Sequence, residues 1–470
     1  MRARAQESGC RSWGCRGIVS GRGATVVYAQ GQAHASIETL HRLRARGRCL
    51  ARRCHTAAAL AWVAAGVTGS LVVAPADAGA GAPRGSSSLL VPLHAGTGGS
   101  GGVQRRAACP PPAHPGEAAC LAVEERDRLH RRPGGARLAD SGPVGYGPSS
   151  LRRAYNLPAG GGDGRTVAVV DAYDDPAAAA DLAAYRSAFG LPPCTASDGC
   201  FTKVNDQGGR GYPKPNSGWA GEISLDLDMV SAVCPRCHIL LVEAASPYLR
   251  DLGRAVNQAV RMGARFVANG YGTQQSPADA GYDSRYFDHP GVAITVATGD
   301  AGYGVSYPAA SPYVTAVGGT SLAPAGNGRG WAETAWRGTG SGCGDQAKPA
   351  WQNHTGCAGR ALNDVAAVAN PGTGVAVYDS YTHSAGAWKV FGGTSVSAAI
   401  IAATYALAGT PRPGSYPSSY PYAHPAALTS IPGGAVWSVC PAGALAAPGC
   451  VHAGRWGVFA RSHVNVNRLA

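Results

Sequence analysis

The chain has 470 residues, 45% of them hydrophobic and 15% charged, which is enough apolar material for one large domain plus flanking segments and too much for a wholly disordered chain. The formal net charge is +13, but residues 1–54 carry eleven arginines against Glu7 and Glu38, so much of the excess sits ahead of any globular region. After residue 150 no basic stripe interleaved with aromatics follows, which argues against a nucleic-acid partner.

In chain order, residues 1–41 fit neither a signal nor a domain and read as a non-native or unstructured extension. Residues 42–80 read as an export signal: Arg42, Arg44, Arg46, Arg48, Arg52 and Arg53 precede an apolar stretch from Ala57 to Ala74, and small residues follow. The competing reading is a membrane anchor, but a stretch so rich in glycine, alanine and threonine makes a poor one. Cleavage between Ala74 and Ala80 would leave a secreted, extracellular protein with no stable membrane association. Residues 81–144 are rich in Gly, Pro, Ser and Arg without sustained periodicity, and read as a short low-complexity pro or linker segment. The cysteines beyond the signal fall into neighbouring pairs, Cys109/Cys120, Cys194/Cys200, Cys234/Cys237, Cys343/Cys357 and Cys440/Cys450, as local disulfides in an exported protein would. Cys234-Pro-Arg-Cys237 has no second half-site with zinc spacing.

From Gly145 onward, short β-branched runs alternate with helical patterns. Strands are predicted over Thr166–Val170, His238–Val242, Phe266–Ala268 and Val292–Ala297. Helices are predicted over Pro176–Phe189, from about Glu222 to Ala232, and over Leu249–Met262. Such crossovers join parallel strands, so the expected class is α/β, with three layers around a mostly parallel central sheet flanked by helices.

Open α/β sheets place their chemistry at strand ends and helix starts. The segment Phe391-Gly-Gly-Thr-Ser-Val-Ser-Ala-Ala-Ile400 leads into an alanine-rich helix running to about Leu407, with Ser395 at its start. A serine there is ordinarily an N-cap; as a nucleophile it needs a base. No histidine lies in a subtilisin-like His-Gly-Thr context, and His238 reads as a partly buried packing residue. The sequence offers instead Gly218-Trp-Ala-Gly-Glu222-Ile-Ser-Leu-Asp226, two acids four residues apart on one helix face. A third acid, Asp300, ends the apolar run Ile294-Thr-Val-Ala-Thr-Gly-Asp300. To donate a hydrogen bond to a developing oxyanion it would have to be protonated, so acidic pH would favour activity.

The order Glu-x-x-x-Asp, then Thr-Gly-Asp-x-Gly, then Gly-Thr-Ser resembles the sedolisin (serine-carboxyl peptidase) family over residues 145–425. Ser306–Ser321 and Trp331–Trp336 are also similar to family sequence. The resemblance implies a subtilisin-like fold, Glu222 as general base toward Ser395, Asp226 tuning Glu222, and Asp300 in the oxyanion hole. Asp171 stands where a subtilisin keeps its triad aspartate and is read as supporting, with Thr394 beside the serine. Asn269 and Gly270, in Phe266–Gly272, resemble the family's cleft-lining strand.

Two departures stand out. Ala399 replaces the proline usual four residues after the serine, a change a helix tolerates. In the 426–470 tail, Ser430 stands where a calcium-binding acid is expected, and no Asp or Glu follows Gly434. The family-type calcium site is therefore read as degraded, and neither a cofactor nor a metal is expected. The expected function is a secreted, monomeric, acid-active serine-carboxyl endopeptidase acting on polypeptides. The alternative is a catalytically impaired peptidase-like protein kept for binding or structure.

Overall fold

The computed structural model describes residues 104–126, 143–158, 160–353, 355–381 and 387–431, with the strands β1 (Cys15–Gly21) and β2 (Ala24–Ala29) and the short strand Arg461–Ser462. The export segment and the Cys440/Cys450 pair lie outside the described residues. The chain divides into two compact units, residues 1–90 and 91–470, and in the first of them β1 and β2 pair antiparallel.

The second unit opens with three short strands, β3 (Arg105–Ala107), β4 (Ala119–Cys120) and β5 (Val123–Glu125). After α1 (Pro148–Ala154) strands and helices alternate: β6 (Thr166–Ala172), α2 (Ala178–Ala188), β7 (Phe201–Asn205), α3 (Ser217–Val233), β8 (His238–Ala244), α4 (Leu249–Arg261) and β9 (Phe266–Asn269). Next come β10 (Tyr271–Gln274), β11 (Ala293–Ala297), β12 (Ser306–Tyr307), β13 (Thr315–Pro324) and β14 (Trp331–Ala335). The series ends with β15 (Gly342–Cys343), β16 (Ala361–Leu362), β17 (Val365–Val368), β18 (Val375–Tyr378), β19 (Trp388–Gly392) and the serine helix α5 (Thr394–Ala408).

The central sheet has eight strands in the order β14-β13-β11-β9-β6-β8-β7, with β17 also on β13. All its pairings are parallel except β13 with β14. Strand periodicity explains the three layers. In β6, Val167 and Val169 face a core shared with Leu182, Ile223 and Ile400, whereas Ala168 and Val170 face a second core with Leu252 and Val256 of α4. This is the α/β architecture expected from the alternating pattern.

Two helices are buried almost all round. In α3 every residue from Trp219 to Val233 is buried, and in α5 every residue from Thr394 to Leu407. Such helices form where tertiary packing outweighs propensity. Small residues, Ala220, Gly221 and Ser224 on α3 with Ala398, Ala399 and Ala402 on α5, keep both helices slim. Ala399 continues α5 without a break. Asn216 caps α3, its side chain accepting from the N–H groups of Gly218 and Trp219 at 3.0 and 3.1 Å.

One packing expectation is corrected. His238 starts β8 as an exposed residue, its backbone N–H bonded to the Arg165 carbonyl, because the strand's apolar run begins only at Ile239.

Candidate active site

Glu222 and Asp226 lie four residues apart on α3 and share a face. Asp171 sits near the end of β6, Asp300 follows β11, and Ser395 is in the first turn of α5. Carboxylate oxygens of Asp171, Glu222 and Asp226 lie within 4.8 Å of one another. These three acids and Ser395 are all 0% exposed, so their charges have no water to rely on.

Ser395 Oγ donates to the Gly270 carbonyl at 3.0 Å. A Cβ on Gly270 would overlap Glu222 Oε1 and stand 3.1 Å from Ser395 Cβ, so serine and glutamate meet across a bare glycine. In this resting geometry neither Glu222 oxygen makes a direct hydrogen bond. Rotation of the serine side chain is what would turn its proton toward Glu222.

Thr394 clamps the other side. Its N–H and Oγ1–H donate to Asp300 Oδ1 at 2.8 and 2.9 Å, and its Oγ1 accepts from the Gly299 N–H at 3.0 Å. Asp300 as a residue is partly exposed, but its Oδ2 is buried and makes no hydrogen bond. A Cβ on Gly393 would stand 2.8 Å from that oxygen, and Gly393 has φ +103°, a conformation that favours glycine.

Burial raises Asp171 to about 8 and Asp300 to about 7, the latter against the two Thr394 hydrogen bonds. Glu222 and Asp226 are pushed well above the carboxylate range, by burial first and then by neighbouring carboxylates. Three acids this close cannot all ionise, so they hold protons in common. Of the three, only Glu222 has a hydroxyl beside it, that of Ser395, favouring its charged form. For Glu222 that hydroxyl works against burial and the surrounding carboxylates, which together hold the group well above the usual carboxylate range.

Asn269 does different work from a cleft contact. Its Nδ2 donates to Thr295 O at 3.0 Å and its Oδ1 accepts from the Tyr271 hydroxyl at 2.8 Å, so its side chain locks the sheet. A surface cavity lined by Asp206, Arg254 and Arg261 includes none of the site residues.

Among the described residues, Asp171, Glu222 and Asp226 form the one acid cluster with metal-ligand spacing. A cation or shared protons would balance its charge, and the adjoining hydroxyl supplies an exchangeable proton. The calcium position fares worse. Ser430, exposed in a two-residue strand, pairs with Arg461, and neither residue offers an anionic oxygen. These residues do not fit a calcium ion; 432–460 lie outside the described residues.

Sequence reasoning missed Leu121 and its neighbours. The apolar run Ala118-Ala-Cys-Leu-Ala-Val123 around the second cysteine of the Cys109/Cys120 pair was the available signal, and the structure places it beside Ser395, where the Leu121 N–H and the serine hydroxyl both donate to Gly270 O.

Fold and site together define a subtilisin-like α/β domain with a serine set against buried carboxylates. Comparison with known proteins leads to the same class. Kumamolisin of Bacillus sp. (strain MN-32) is 31% identical over 321 residues, a match covering 59% of this chain and 55% of kumamolisin. The chain thus spans little more than half of that curated relative. Among solved structures, Pseudomonas sedolisin, a serine-carboxyl proteinase complexed with two molecules of pseudo-iodotyrostatin, superposes with a TM-score of 0.53 at 22% identity, over 62% of this chain and 88% of that one. This second likeness bears on the fold. No family profile matches the chain. The sequence likeness links a little over half of each chain, and the structural likeness shows a subtilisin-like fold.

Proposed function

We propose that the domain is a serine-carboxyl endopeptidase that hydrolyses polypeptides through an acyl-enzyme on Ser395 and works best in acid. One observation carries this reading: a buried serine lies between a proton-sharing carboxylate cluster and an acid whose free oxygen is held out by Thr394.

In the forward step Glu222 takes the Ser395 proton as Oγ attacks the peptide carbonyl carbon. Asp226 and Asp171 keep shared protons next to Glu222 and so limit the charge that builds there. Protonated Asp300 donates from Oδ2 to the developing oxyanion, aided by N–H groups at the start of α5. Glu222 then protonates the leaving amine. In the second half a water molecule loses a proton to Glu222 and attacks the ester, and Ser395 recovers its hydrogen. As pH rises through about 7, Asp300 loses the proton it needs for donation, and the rate falls.

The disulfides Cys109–Cys120, Cys194–Cys200, Cys234–Cys237 and Cys343–Cys357 support an oxidising, extracellular setting. Among the described residues no helix is long and apolar enough to cross a membrane. The test is hydrolysis of a denatured polypeptide between about pH 3 and 7, beside Ser395→Ala and Glu222→Gln. Loss of the serine lowers kcat by about 10⁶ in comparable triads, and a fall of that order is expected. Activity indifferent to both substitutions would remove this site from consideration. A wild-type chain inactive throughout would favour the impaired, binding-protein reading.

A further inference from the structure

The loop that carries Asp300 is loose by composition. It leaves β11 through Gly299 and turns back at Gly302, with φ of +105° and +82°, conformations that favour glycine and that glycine is free to leave. The Asp300 side chain is held at Oδ1, by Thr394, so its Oδ2 takes its direction from the backbone beneath it.

A second segment, residues 338–341 between β14 and β15, braces that backbone. Gly340 N–H donates to Gly299 O at 2.6 Å and Gly302 N–H to Gly338 O at 2.8 Å, one bond on either side of Asp300. Gly304 N–H donates to Ser341 O at 2.9 Å, and Ser341 N–H returns to Gly304 O at 3.1 Å. The approach leaves no room for a side chain: a Cβ on Gly340 would collide with Thr298 O. One residue anchors this brace to the central sheet. Thr339 is 2% exposed, and its Oγ1 accepts the Gly319 N–H of β13 at 2.8 Å. The Gly319 carbonyl accepts the Trp336 N–H at 3.0 Å, so both polar groups of that glycine hold the connection that follows β14. Gly319 also backs the Asp300 clamp, since a Cβ there would stand 3.3 Å from Thr394 Cγ2. Two threonines therefore converge on one glycine of the sheet, Thr394 holding the Asp300 carboxyl and Thr339 holding the loop it stands on. Past the brace the chain is fastened again, by the pairing of β15 with β16 and by the Cys343–Cys357 disulfide.

We infer that Thr339 is a positioning residue for hydrolysis at Ser395, fixing through residues 338–341 the place from which Asp300 Oδ2 meets the oxyanion. The inference rests on the peptidase reading above. A donor set in advance is effective because it need not move as charge develops, and a displacement of about 1 Å costs on the order of 100-fold. Without the Thr339 hydroxyl the buried Gly319 N–H loses its acceptor, and the brace has to shift for water to replace it. The Asp300 loop, with four backbone bonds to the brace, shifts with it. The Thr339 hydroxyl itself bonds backbone, accepting from Gly319 and donating to Gly340 O at 3.3 Å, so its route to the chemistry is the loop.

The test is a double-mutant cycle on hydrolysis of a labelled denatured polypeptide, with kcat, KM and the pH profile measured for Thr339→Val, Asp300→Ala and the pair. Thr339→Val is expected to lower kcat by at least about tenfold with KM held within about twofold. Its alkaline limb should move to lower pH, because water admitted beside Asp300 relieves the burial that raises the carboxyl to about 7. Thr339→Ser keeps the hydroxyl and should restore both rate and limb. With Asp300→Ala in place no donor is left to position, and the valine should change kcat by less than about twofold. If the valine variant does not fold, Gly340→Ala, which pushes the brace away from Thr298, enters the cycle in its place with the same expectations. A loss as large without Asp300 as with it, an unmoved alkaline limb, or a serine variant as poor as the valine would overturn the inference and leave the peptidase reading standing. A wild-type chain inactive throughout would overturn both.

Discussion

Gly270 and Gly393 set the distances between the reacting groups, because each leaves empty the place where a methyl group would force a carboxylate aside. Gly270→Ala would drive its Cβ into Glu222 Oε1, and misplacement of a base by about 1 Å costs on the order of 100-fold in rate. The expected result is a kcat drop of that order, larger than any thermal-melting shift would explain; unchanged kcat would mean that Glu222 is not the base. Asp300→Asn tests the opposite side. An amide keeps an acceptor for Thr394 and a donor for the oxyanion but has no proton to lose. Its activity should therefore fall less steeply than wild type above about pH 7, where the buried Asp300 carboxyl gives up its proton. A profile identical to wild type would detach Asp300 from the alkaline limb. Much of this site was legible in the sequence: the four-residue spacing puts Glu222 and Asp226 on one face, and Gly-Gly-Thr-Ser before an apolar helix marks Ser395. The Thr394 clamp and the inward turn of Asn269 were not, since both depend on partners 94 and 26 residues away.

Elements with a long, regular pattern could be read before any coordinates. The run Thr166–Val170 became β6 and the patterns around Glu222 and Leu249 became α3 and α4, because burial on both faces of a parallel sheet demands continuous apolar strands and amphipathic or wholly apolar helices. β3, β4 and β5 were illegible for the converse reason: strands of two or three residues hold no period, and their pairing is decided by Tyr271 and Phe391 far along the chain. The start of α3 bears on the proposed catalysis as well as on stability, since the helix carries Glu222 and Asp226. Asn216 satisfies two N–H groups there, so Asn216→Ala is expected to lower unfolding free energy by about 1 kcal/mol in denaturant titration. A variant as stable as wild type would show that packing alone fixes the helix.

The whole domain carries an unusual load of buried acids, and their sign decides how its stability responds to pH. Asp171 and Glu243 are raised to about 8, and Asp175 and Asp300 to about 7, in every case with burial as the largest cause. In the unfolded chain the same groups return to ordinary carboxylate values near 4. Between about pH 4 and 8 the native state therefore binds more protons than the unfolded state, and unfolding free energy must fall as pH rises across that window. Below it both states are protonated and the contribution is fully present; above it both are ionised and it is gone. Ion pairs such as Lys203 with Asp174 and Glu243 temper the slope without reversing it, because burial of Glu243 outweighs the lysine. Denaturant unfolding of the Ser395→Ala chain, which keeps the fold from digesting itself, should give higher stability at about pH 4 than at about pH 8. Asp171→Asn, an amide that cannot ionise, should flatten the decline. Stability rising between those two values would mean that the carboxylate cluster is ionised in the native state, and the same result would take away the shared proton on which the chemistry at Ser395 depends.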